Sequence, residues 1–336
     1  MTQPSLDVPG LDVIAIGNAI VDVIADADDA FLAAESLTKG SMRLIDAEEA
    51  ERLYDHMRPA REVSGGSAGN TAAGIAALGG RAAFIGQVAP DQLGEFFIHD
   101  FRAAGVTFTT PAADFGVPTA RSMILVTPDG HRTMNTFLGA AQHLPASALD
   151  EEQIRSAAIL YLEGYLWDPE TPRFAMIRAI EIARSAGRKV ALTLSDSFCV
   201  DRHRDGFMAL IDEGRVDILF ANEGEIQAMA GVAHLETAVE AFSGKVETLV
   251  VTRSEHGALA VRGAERADVP AAPIEKLVDT TGAGDLFAAG FLAGQARGRS
   301  LEDSLRLGAI AAAEVIQHYG ARPEADLKAL AGDLLG

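Results

Sequence analysis

The chain has little cysteine, little tryptophan and few basic residues. Its 336 residues include one cysteine, Cys199, and one tryptophan, and 28 Lys and Arg stand against 48 Asp and Glu. A single thiol excludes an intramolecular disulfide and is typical of a reducing compartment. The net charge of −20 argues against binding nucleic acid or an anionic membrane through broad electrostatics. We therefore expect a cytoplasmic protein with neither nucleic acid nor membrane as a partner.

Long apolar runs and targeting signals are also lacking. No window approaches the roughly 18 uncharged apolar residues that a membrane-spanning helix needs. The first ten residues have no basic segment followed by an apolar one, so we expect no secretory signal peptide. The remaining composition is that of a globular protein, 48% hydrophobic and 23% charged. A chain of this length can form one large α/β domain with a smaller appendage.

Three common ligand-binding motifs are missing. The sequence has no Gly-x-x-x-x-Gly-Lys-Ser/Thr loop, so a P-loop nucleotide site is not supported. The first predicted strand ends in Gly17-Asn18-Ala19-Ile20 rather than Gly-x-Gly-x-x-Gly, so the dinucleotide fingerprint is absent. The eight histidines form no His-Glu-x-x-His motif, and no Cys-x-x-Cys pair exists. We therefore expect no zinc site.

The order of strands and helices indicates an α/β protein in two parts. From about residue 145, short apolar runs alternate with amphipathic helices, which is typical of a mostly parallel sheet covered on both faces. The predicted strands of this sheet are 11–17, 82–86, 158–162, 189–194, 217–220 and 248–252. We predict a three-layer α/β/α domain from residues 11–18, 46–105 and 139–330. Short alternating runs predict a small β-sheet lid from residues 19–45 and 106–138.

The most informative segment is Asp279-Thr280-Thr281-Gly282-Ala283-Gly284-Asp285, which runs into a predicted helix. Glycines at a helix start leave backbone N–H groups uncovered, and the helix dipole adds partial positive charge, so an anion fits there. Asp285 in the first turn is then placed to take a proton from an attacking hydroxyl, as phosphoryl transfer requires. The structural alternative is that Asp285 stabilises the helix start and the glycines only make a tight turn.

Polar residues near the first strand and before the next predicted helix are candidates for binding a substrate. Asn18 and Asp22 follow the first strand, where open α/β sheets bind ligands, and Asp22 can accept hydrogen bonds from vicinal hydroxyls. A polar turn into the lid is the alternative. Gly65 and Gly66 permit a hinge and a close approach of a ligand, and Asn70 can present its side chain from the helix that follows. The alternative there is an ordinary helix start.

Asn222 and Glu225 follow another predicted strand and are three positions apart. At a helix start they share one face, and an amide oxygen with a carboxylate suits Mg²⁺ or the waters that it coordinates. The same spacing also satisfies a capping box, and the sequence leaves both interpretations open.

Three further residues are candidates for contacts with phosphate or nucleotide. Arg132, at the end of a predicted turn in the lid, could fold over a transferring phosphoryl group, although an arginine after a turn is commonly solvated. Thr252 and Gly257 lie at and after the end of a strand, where they could meet the nucleotide.

These segments, in this order along the chain, resemble the ribokinase/phosphofructokinase-B family of carbohydrate and nucleoside kinases. The resemblance covers residues 11–323, and the Asp279–Asp285 string is its most specific part. It implies a ribokinase-like α/β fold and an enzyme that uses ATP and Mg²⁺ to phosphorylate a primary hydroxyl of a sugar or nucleoside.

The resemblance also implies roles for matched positions. Asp285 is the implied catalytic base, and the anion hole is implied to consist of Gly282, Ala283 and Gly284. The residues implied to hold a ribose-type diol are Asp22, Gly66 and Asn70, and those implied to organise Mg²⁺ are Asn222 and Glu225. Those implied to border the adenine of ATP are Thr252, Gly257, Ala313 and His318. Some relatives bind a monovalent cation where Asp279 and Thr281 stand, and the sequence leaves this open.

Within the family the chain looks like the adenosine kinases. The Gly65-Gly66 segment lacks the lysine that ribokinase carries after its glycines, and residues 161–166 and 217–225 are similar to the adenosine-kinase pattern. An apolar slot for a nucleobase is then expected from Phe137, Leu138 and Leu166. Two features depart from this pattern, namely Thr281, where eukaryotic adenosine kinases tend to have asparagine, and the Ala-rich helix at 72–78.

The expected activity is ATP-dependent phosphorylation of the 5′-hydroxyl of a nucleoside, with adenosine as the first candidate. A ribokinase- or fructokinase-like sugar kinase and a catalytically silent nucleoside-binding protein are the alternatives. The sequence does not distinguish a monomer from a homodimer.

Overall fold

The structure, a computed structural model, describes residues 10–336. Residues 1–9, which contain most of the segment searched for a signal peptide, lie outside this range. The strands are β1 Leu11–Ile16, β2 Ile20–Asp26, β3 Met42–Leu44, β4 Arg61–Gly65, β5 Ala82–Ile85, β6 Thr107–Phe108, β7 Ala120–Val126, β8 Arg132–Phe137, β9 Ala157–Glu163, β10 Lys189–Thr193, β11 Ile218–Asn222, β12 Thr248–Thr252, β13 Ala258–Arg262 and β14 Glu265–Val269. The helices are α1 Asp29–Ala34, α2 Ala47–His56, α3 Ser67–Ala77, α4 Gln92–Ala103, α5 Glu151–Ser156, α6 Glu170–Ser185, α7 Ser197–Asp212, α8 Glu223–Ala230, α9 Leu235–Ser243, α10 Ala283–Ala296, α11 Leu301–Val315 and α12 Leu327–Ala331.

Within residues 10–336, nine strands form the large sheet, in the order β14-β13-β12-β11-β10-β9-β1-β5-β6. The strands from β12 to β6 are parallel, whereas β13 and β14 add an antiparallel edge. One apolar cluster joins the sheet to α3, α4, α10 and α11, and another joins its opposite face to α5, α6, α7, α8 and α9. Burial on both faces explains why the predicted strands read as nearly continuous apolar runs. The predicted α/β/α layering is confirmed.

In the described part of the chain, five strands form the small sheet of the lid, in the order β3-β8-β7-β2-β4. One face packs against α1 and α2 through a cluster that includes Leu32, Leu53 and Met123. Side chains alternate between faces along a strand, and the pairing of Asp22 with Ser122 and of Ser122 with Thr136 places these polar residues together. Thr136 and Arg132 are an even number of residues apart on β8, so this polar face also carries Arg132.

Two strands do not lie in the sheet that the predicted boundaries between the large domain and the lid imply. β4, assigned to the large domain, pairs antiparallel with β2 in the lid. β6, assigned to the lid, pairs parallel with β5 in the large sheet. The physical reason is that the local sequence signal is weak, because β4 is a largely polar edge strand and β6 has two residues.

None of the helices between residues 10 and 336 is long and apolar enough to cross a bilayer.

Candidate active site

Helix α10 begins at the glycine-rich segment that the sequence singles out. Gly282 precedes it with a φ of 78°, in the left-handed region that favours glycine, and supplies no side-chain cap. The N–H groups of a first helical turn have no acceptor inside the helix. A Cβ built on Gly284 would meet nothing within 4 Å, so this turn faces open space. An open helix N-terminus of this kind is suited to an anion such as a phosphate.

Asp285 lies in that first turn and is held by the neighbouring helix α3. Its carboxylate accepts hydrogen bonds from Ser67 Oγ at 2.6 Å and from Asn70 Nδ2 at 2.9 Å. Burial raises the pKa of Asp285 to about 6, while these two hydrogen bonds and the charge of Arg322 oppose the rise. At neutral pH the group is therefore mostly ionised, and it is a stronger base than an ordinary aspartate.

The lid contributes a second carboxylate, that of Asp22 in β2. A Cβ built on Gly65 would lie 2.6 Å from Asp22 Oδ2, so any larger residue at that position would force the carboxylate to move. Burial raises the pKa of Asp22 to about 6, whereas the positive charges of Arg132 and Arg322 lower it. The recess beside Asp22 is also lined by Asn70 and Arg322. The structure thus brings the predicted diol residues and the predicted base to one cleft.

Asn18 is bound to a buried glutamate that the sequence analysis did not single out. The backbone N and the Nδ2 of Asn18 both donate to Glu163 Oε1 at 2.6 Å, and Ala68 N donates to Oε2 at 2.7 Å. Glu163 ends β9 with 0% of its surface exposed, and burial raises its pKa to about 7. It connects the end of β1 to the start of α3. Its place at the carboxyl end of an apolar strand is the one signal in the sequence that could have found it.

Arg132 reaches from the lid to the loop before α10. Its Nη1 donates to Asp279 Oδ2, and the two side chains are 7% and 5% exposed. Asp279 Oδ1 also accepts from the N and Oγ1 of Thr281 at 3.0 and 2.8 Å, and Oδ2 accepts from Gly320 N at 3.1 Å. Arg132 is therefore not solvated. Its Nε and Nη2 are buried without a hydrogen-bond partner among residues 10–336, so two donors remain for an anion.

Asn222 and Glu225 form the capping box that their spacing allows. Asn222 Oδ1 accepts from Glu225 N at 2.9 Å, Glu225 Oε2 accepts from Asn222 N at 2.9 Å, and Asn222 Nδ2 donates to Oε1 at 2.6 Å. Burial raises the pKa of Glu225 to about 7. In the part of the chain that the structure describes, no three His, Cys, Asp or Glu side chains cluster around a metal position. Because Mg²⁺ in phosphoryl-transfer sites commonly keeps several waters, the pair fits a role in holding those waters rather than the ion itself.

The residues predicted to border the nucleotide lie toward the antiparallel edge of the large sheet. Thr252 ends β12 and is the register partner of Asn222 in β11. Gly257 follows it in a short turn with a φ of 82°. Helix α11, which carries Ala313, packs against β13 and β14, and His318 just beyond it has Nε2 3.1 Å from Glu314 Oε1. Their contact with a nucleotide stays a prediction.

The structure does not bring together the three residues of the predicted apolar slot. Phe137 lies in the cluster beneath α1 and α2, on the outer face of the lid sheet. Leu166 is fully buried in the core on the far face of the large sheet, and Leu138 is half-buried after β8. The reason is strand alternation, since positions 132 and 137 are five apart and must face opposite ways. The apolar side chains of the lid that line the recess beside Asp22 are instead those of Ile24 and Val63.

The chain is similar to known proteins over nearly its whole length. Residues 12–327 match the pfkB family of carbohydrate kinases. The adenosine kinase of Saccharomyces cerevisiae is 28% identical over 330 residues, which cover 91% of this chain and 95% of that protein. The solved structure of adenosine kinase from Sinorhizobium meliloti is 52% identical, with a TM-score of 0.88 and coverage of 96% and 98%. A probable sugar kinase from Rhizobium etli is 50% identical, with a TM-score of 0.89 and the same coverage.

The family match and the fold lead to one conclusion. A match over residues 12–327 includes both the lid and the large domain, and the two solved structures share this architecture over almost their full length. Kinases of this kind imply ATP as the donor, with Mg²⁺ typical. The chain therefore belongs to the pfkB family of carbohydrate kinases and is a phosphotransferase with an alcohol group as acceptor.

Proposed function

We propose that this kinase transfers the γ-phosphoryl group of ATP to the 5′-hydroxyl of a nucleoside, and that the nucleoside is adenosine. The observation that carries the chemistry is the position of Asp285, in the first turn of a helix whose N-terminus is open. A base and an anion site thereby lie in the same turn of one helix. Phosphoryl transfer needs both at the reacting centre.

In the proposed mechanism, Asp285 removes the proton of the attacking hydroxyl as the phosphoryl group is transferred. The N–H groups of Gly282 and Gly284 stabilise the negative charge on the phosphoryl oxygens. That of Ala283, which the sequence also placed in the anion hole, already donates to the carbonyl oxygen of Thr280 at 3.2 Å. Ser67 and Asn70 hold the carboxylate in place through their hydrogen bonds. Asp22, ionised above about pH 6, accepts hydrogen bonds from the vicinal hydroxyls of the ribose.

The lid completes this site and excludes water. Arg132 is buried against Asp279 and retains two unpartnered donors for the phosphoryl oxygens. Excluding water prevents hydrolysis of ATP in place of transfer. Mg²⁺ neutralises charge on the phosphates when bound, and Asn222 with Glu225 would hold its waters.

Two relatives support adenosine as the acceptor, since proteins 52% and 28% identical to this chain are described as adenosine kinases. The apolar side chains of Ile24 and Val63, which line the recess beside Asp22, are suited to a nucleobase. A sugar kinase is the second candidate, because a structure 50% identical to this chain is described as a probable sugar kinase.

A panel of acceptors tests the proposal. We would measure ADP release by the purified protein with adenosine, guanosine, ribose and fructose, and identify the product by mass. We expect kcat/KM to be at least about tenfold higher for adenosine than for the others, which corresponds to about 1.4 kcal/mol of transition-state discrimination, and we expect the product to be AMP. A preference for ribose or fructose would establish the sugar kinase instead. Tight adenosine binding without turnover of any acceptor would indicate a silent binding protein.

A further inference from the structure

We infer that Arg322 is a positioning residue for phosphoryl transfer: it fixes the turn that carries the partners of Asp285, and it supplies the positive charge that faces Asp285. This inference rests on the proposed role of Asp285 as the base. Arg322 lies between α11 and α12, in a segment to which the sequence analysis gave no function.

The guanidinium group of Arg322 brackets the start of α3. Its Nε and Nη2 donate to the carbonyl oxygen of Ser64 at 3.1 and 2.7 Å, and Nη1 donates to the carbonyl oxygen of Gly69 at 3.1 Å. Nη2 also donates to Ser64 Oγ at 3.0 Å. Ser64 precedes the Gly65-Gly66 turn, and Gly69 lies in the first turn of the helix. One side chain therefore spans the whole turn.

Helix α4 supports the same guanidinium from its other side. The Cζ of Arg322 lies 4.9 Å from the centre of the Phe101 ring, within the range of a cation–π contact. Ser64 N and Oγ donate to Asp100 Oδ2 at 3.0 and 2.5 Å, so the acceptor that Arg322 grips is itself fixed. A planar group held on an edge and a face has little freedom to move.

The position of the turn decides the position of the base. Ser67 and Asn70 lie within the first turn of α3 and donate to the carboxylate of Asp285. If the turn shifts, both hydrogen bonds lengthen. Misplacement of a reacting group by about 1 Å is sufficient to reduce a rate about 10²-fold.

Arg322 also acts on Asp285 through its charge. It opposes the rise in pKa that burial produces in both Asp285 and Asp22. Burial lowers the pKa of Arg322 itself to about 10, so the group stays cationic at neutral pH. The other titratable groups that face Asp285 are acidic, from β2 and from β9 with the turn after it: Asp22, Tyr161, Glu163 and Tyr165. Among residues 10–336, Arg322 is the one cation whose charge lowers the pKa of Asp285, so its loss removes that opposition to the effect of burial.

The pH dependence of turnover separates this role from simple structural support. We would measure kcat and kcat/KM for adenosine from pH 5 to 9 at saturating MgATP, for wild type, Arg322→Gln and Arg322→Lys. In wild type, kcat should fall on the acidic side of the pH profile as Asp285 is protonated, and the midpoint of this acidic limb should lie near pH 6, the pKa of Asp285. Loss of the positive charge raises that pKa, so we expect the limb of Arg322→Gln to move up by about one pH unit. Arg322→Lys should keep the limb and lower kcat severalfold, because it keeps the charge but lacks the planar fork that spans the carbonyl groups of Ser64 and Gly69.

Arg173 offers a matched control. It donates from Nε to the carbonyl oxygen of Trp167 at 2.9 Å and from Nη2 to that of Asp168 at 3.0 Å, and it lies over the Trp167 ring at 5.9 Å. It thus makes the same kinds of contact as Arg322, but away from the base. Arg173→Gln should lower the melting temperature and leave the acidic limb in place.

An acidic limb of Arg322→Gln that coincides with that of wild type would overturn the inference. If that variant does not fold, Arg322→Lys decides, and an unchanged kcat would then overturn the inference. Asp285→Asn distinguishes failure of this inference from failure of the proposed function. If Asp285→Asn turns over normally, the proposed base is wrong; if it is inactive and the limb does not move in Arg322→Gln, only the role of Arg322 is wrong.

Discussion

Two helices of this protein begin at glycine-rich turns without a side-chain cap, yet their surroundings differ. Gly66 precedes α3 with a φ of 92°, and Gly282 precedes α10 with a φ of 78°. At α3 the space is filled, because a Cβ on Gly66 would collide with the carbonyl oxygen of Asn18. At α10 the preceding glycine is packed as well, since a Cβ on Gly282 would lie 2.5 Å from the Cβ of Ala321. The first turn of α10 is nevertheless open, because a Cβ on Gly284 would meet nothing within 4 Å.

The difference shows what a glycine-rich helix start can and cannot reveal. At α3 the first-turn N–H of Ala68 already donates to Glu163 at the end of β9, so the turn is fixed to the large sheet. At α10 the first turn faces the cleft and is available to an anion. A glycine-rich helix start is therefore packed against its neighbours in one place and open to a ligand in the other. The neighbouring elements of the fold decide between the two.

The largest effect on stability is expected at the filled turn. Gly66→Ala should lower the free energy of unfolding by at least about 3 kcal/mol, because left-handed strain is added to a collision with backbone. Gly187→Ala is the matched control, since Gly187 has a φ of 70° and nothing within 4 Å of its Cβ position. The free energy of unfolding of Gly187→Ala should fall only by the cost of the left-handed backbone strain, about 1–2 kcal/mol. Denaturant unfolding of both variants measures the difference, and equal losses would show that the α3 turn is not tightly packed.

The next effect concerns the carboxylate that closes the filled turn. Glu163→Gln replaces one acceptor oxygen with a donor opposite Asn18 or Ala68, and should lower the free energy of unfolding by about 1–3 kcal/mol. Glu314→Gln is the control, and its free energy of unfolding should fall by less. Glu314 is also buried, but its Oε2 has no partner within residues 10–336, so the amide nitrogen can take that position.

The loss in Glu163→Gln should also depend on pH. The folded-state pKa of Glu163 is raised from 4.5 to about 7, so the stability that this group adds is full below pH 4.5 and is lost as pH rises through 7. The deficit of the variant relative to wild type should therefore shrink between pH 5 and pH 8. A deficit that grows over this range, in thermal unfolding at several pH values, would contradict the burial of a protonatable carboxyl.

The smallest change in stability is expected at the open turn. Gly284→Ala should raise the free energy of unfolding by about 0.5–1 kcal/mol, because alanine is favoured over glycine in a helix and has room there. The added methyl group projects into the space where we place the phosphate, so KM for ATP should rise about tenfold, equivalent to about 1.4 kcal/mol. Gly244→Ala, where nothing lies within 4 Å of the Cβ position, should leave KM unchanged. An unchanged KM in Gly284→Ala would mean that the phosphate does not approach this turn.

Much of the large domain could be predicted because its strands are buried on both faces. Lys189–Thr193 and Thr248–Thr252 read as apolar runs for this reason. The lid was harder, since an edge strand such as Arg61–Gly65 is half polar and gives little periodic signal. The prediction of an apolar slot that includes Phe137 was wrong for a different reason. Counting residues along β8 from Arg132 would have placed Phe137 on the outer face.

The residues of the cleft also divide into those that the local sequence predicts and those that it does not. Asp285 and its glycines lie in one short segment, so local sequence predicts them. Glu163 acts on Asn18 across 145 residues, and Arg322 acts on Ser64 across 258. Such contacts leave no pattern in the sequence, because each partner is an isolated polar residue until the fold brings the two together.

The most direct test of the account is the turnover of Asp285→Asn with ATP and adenosine. Asparagine keeps the size of the side chain and removes its basicity, so we expect kcat to fall about 10²–10⁴-fold. Adenosine binding, measured by calorimetry on the same protein, should stay within about tenfold of wild type. A kcat close to that of wild type would contradict the assignment of Asp285 as the base.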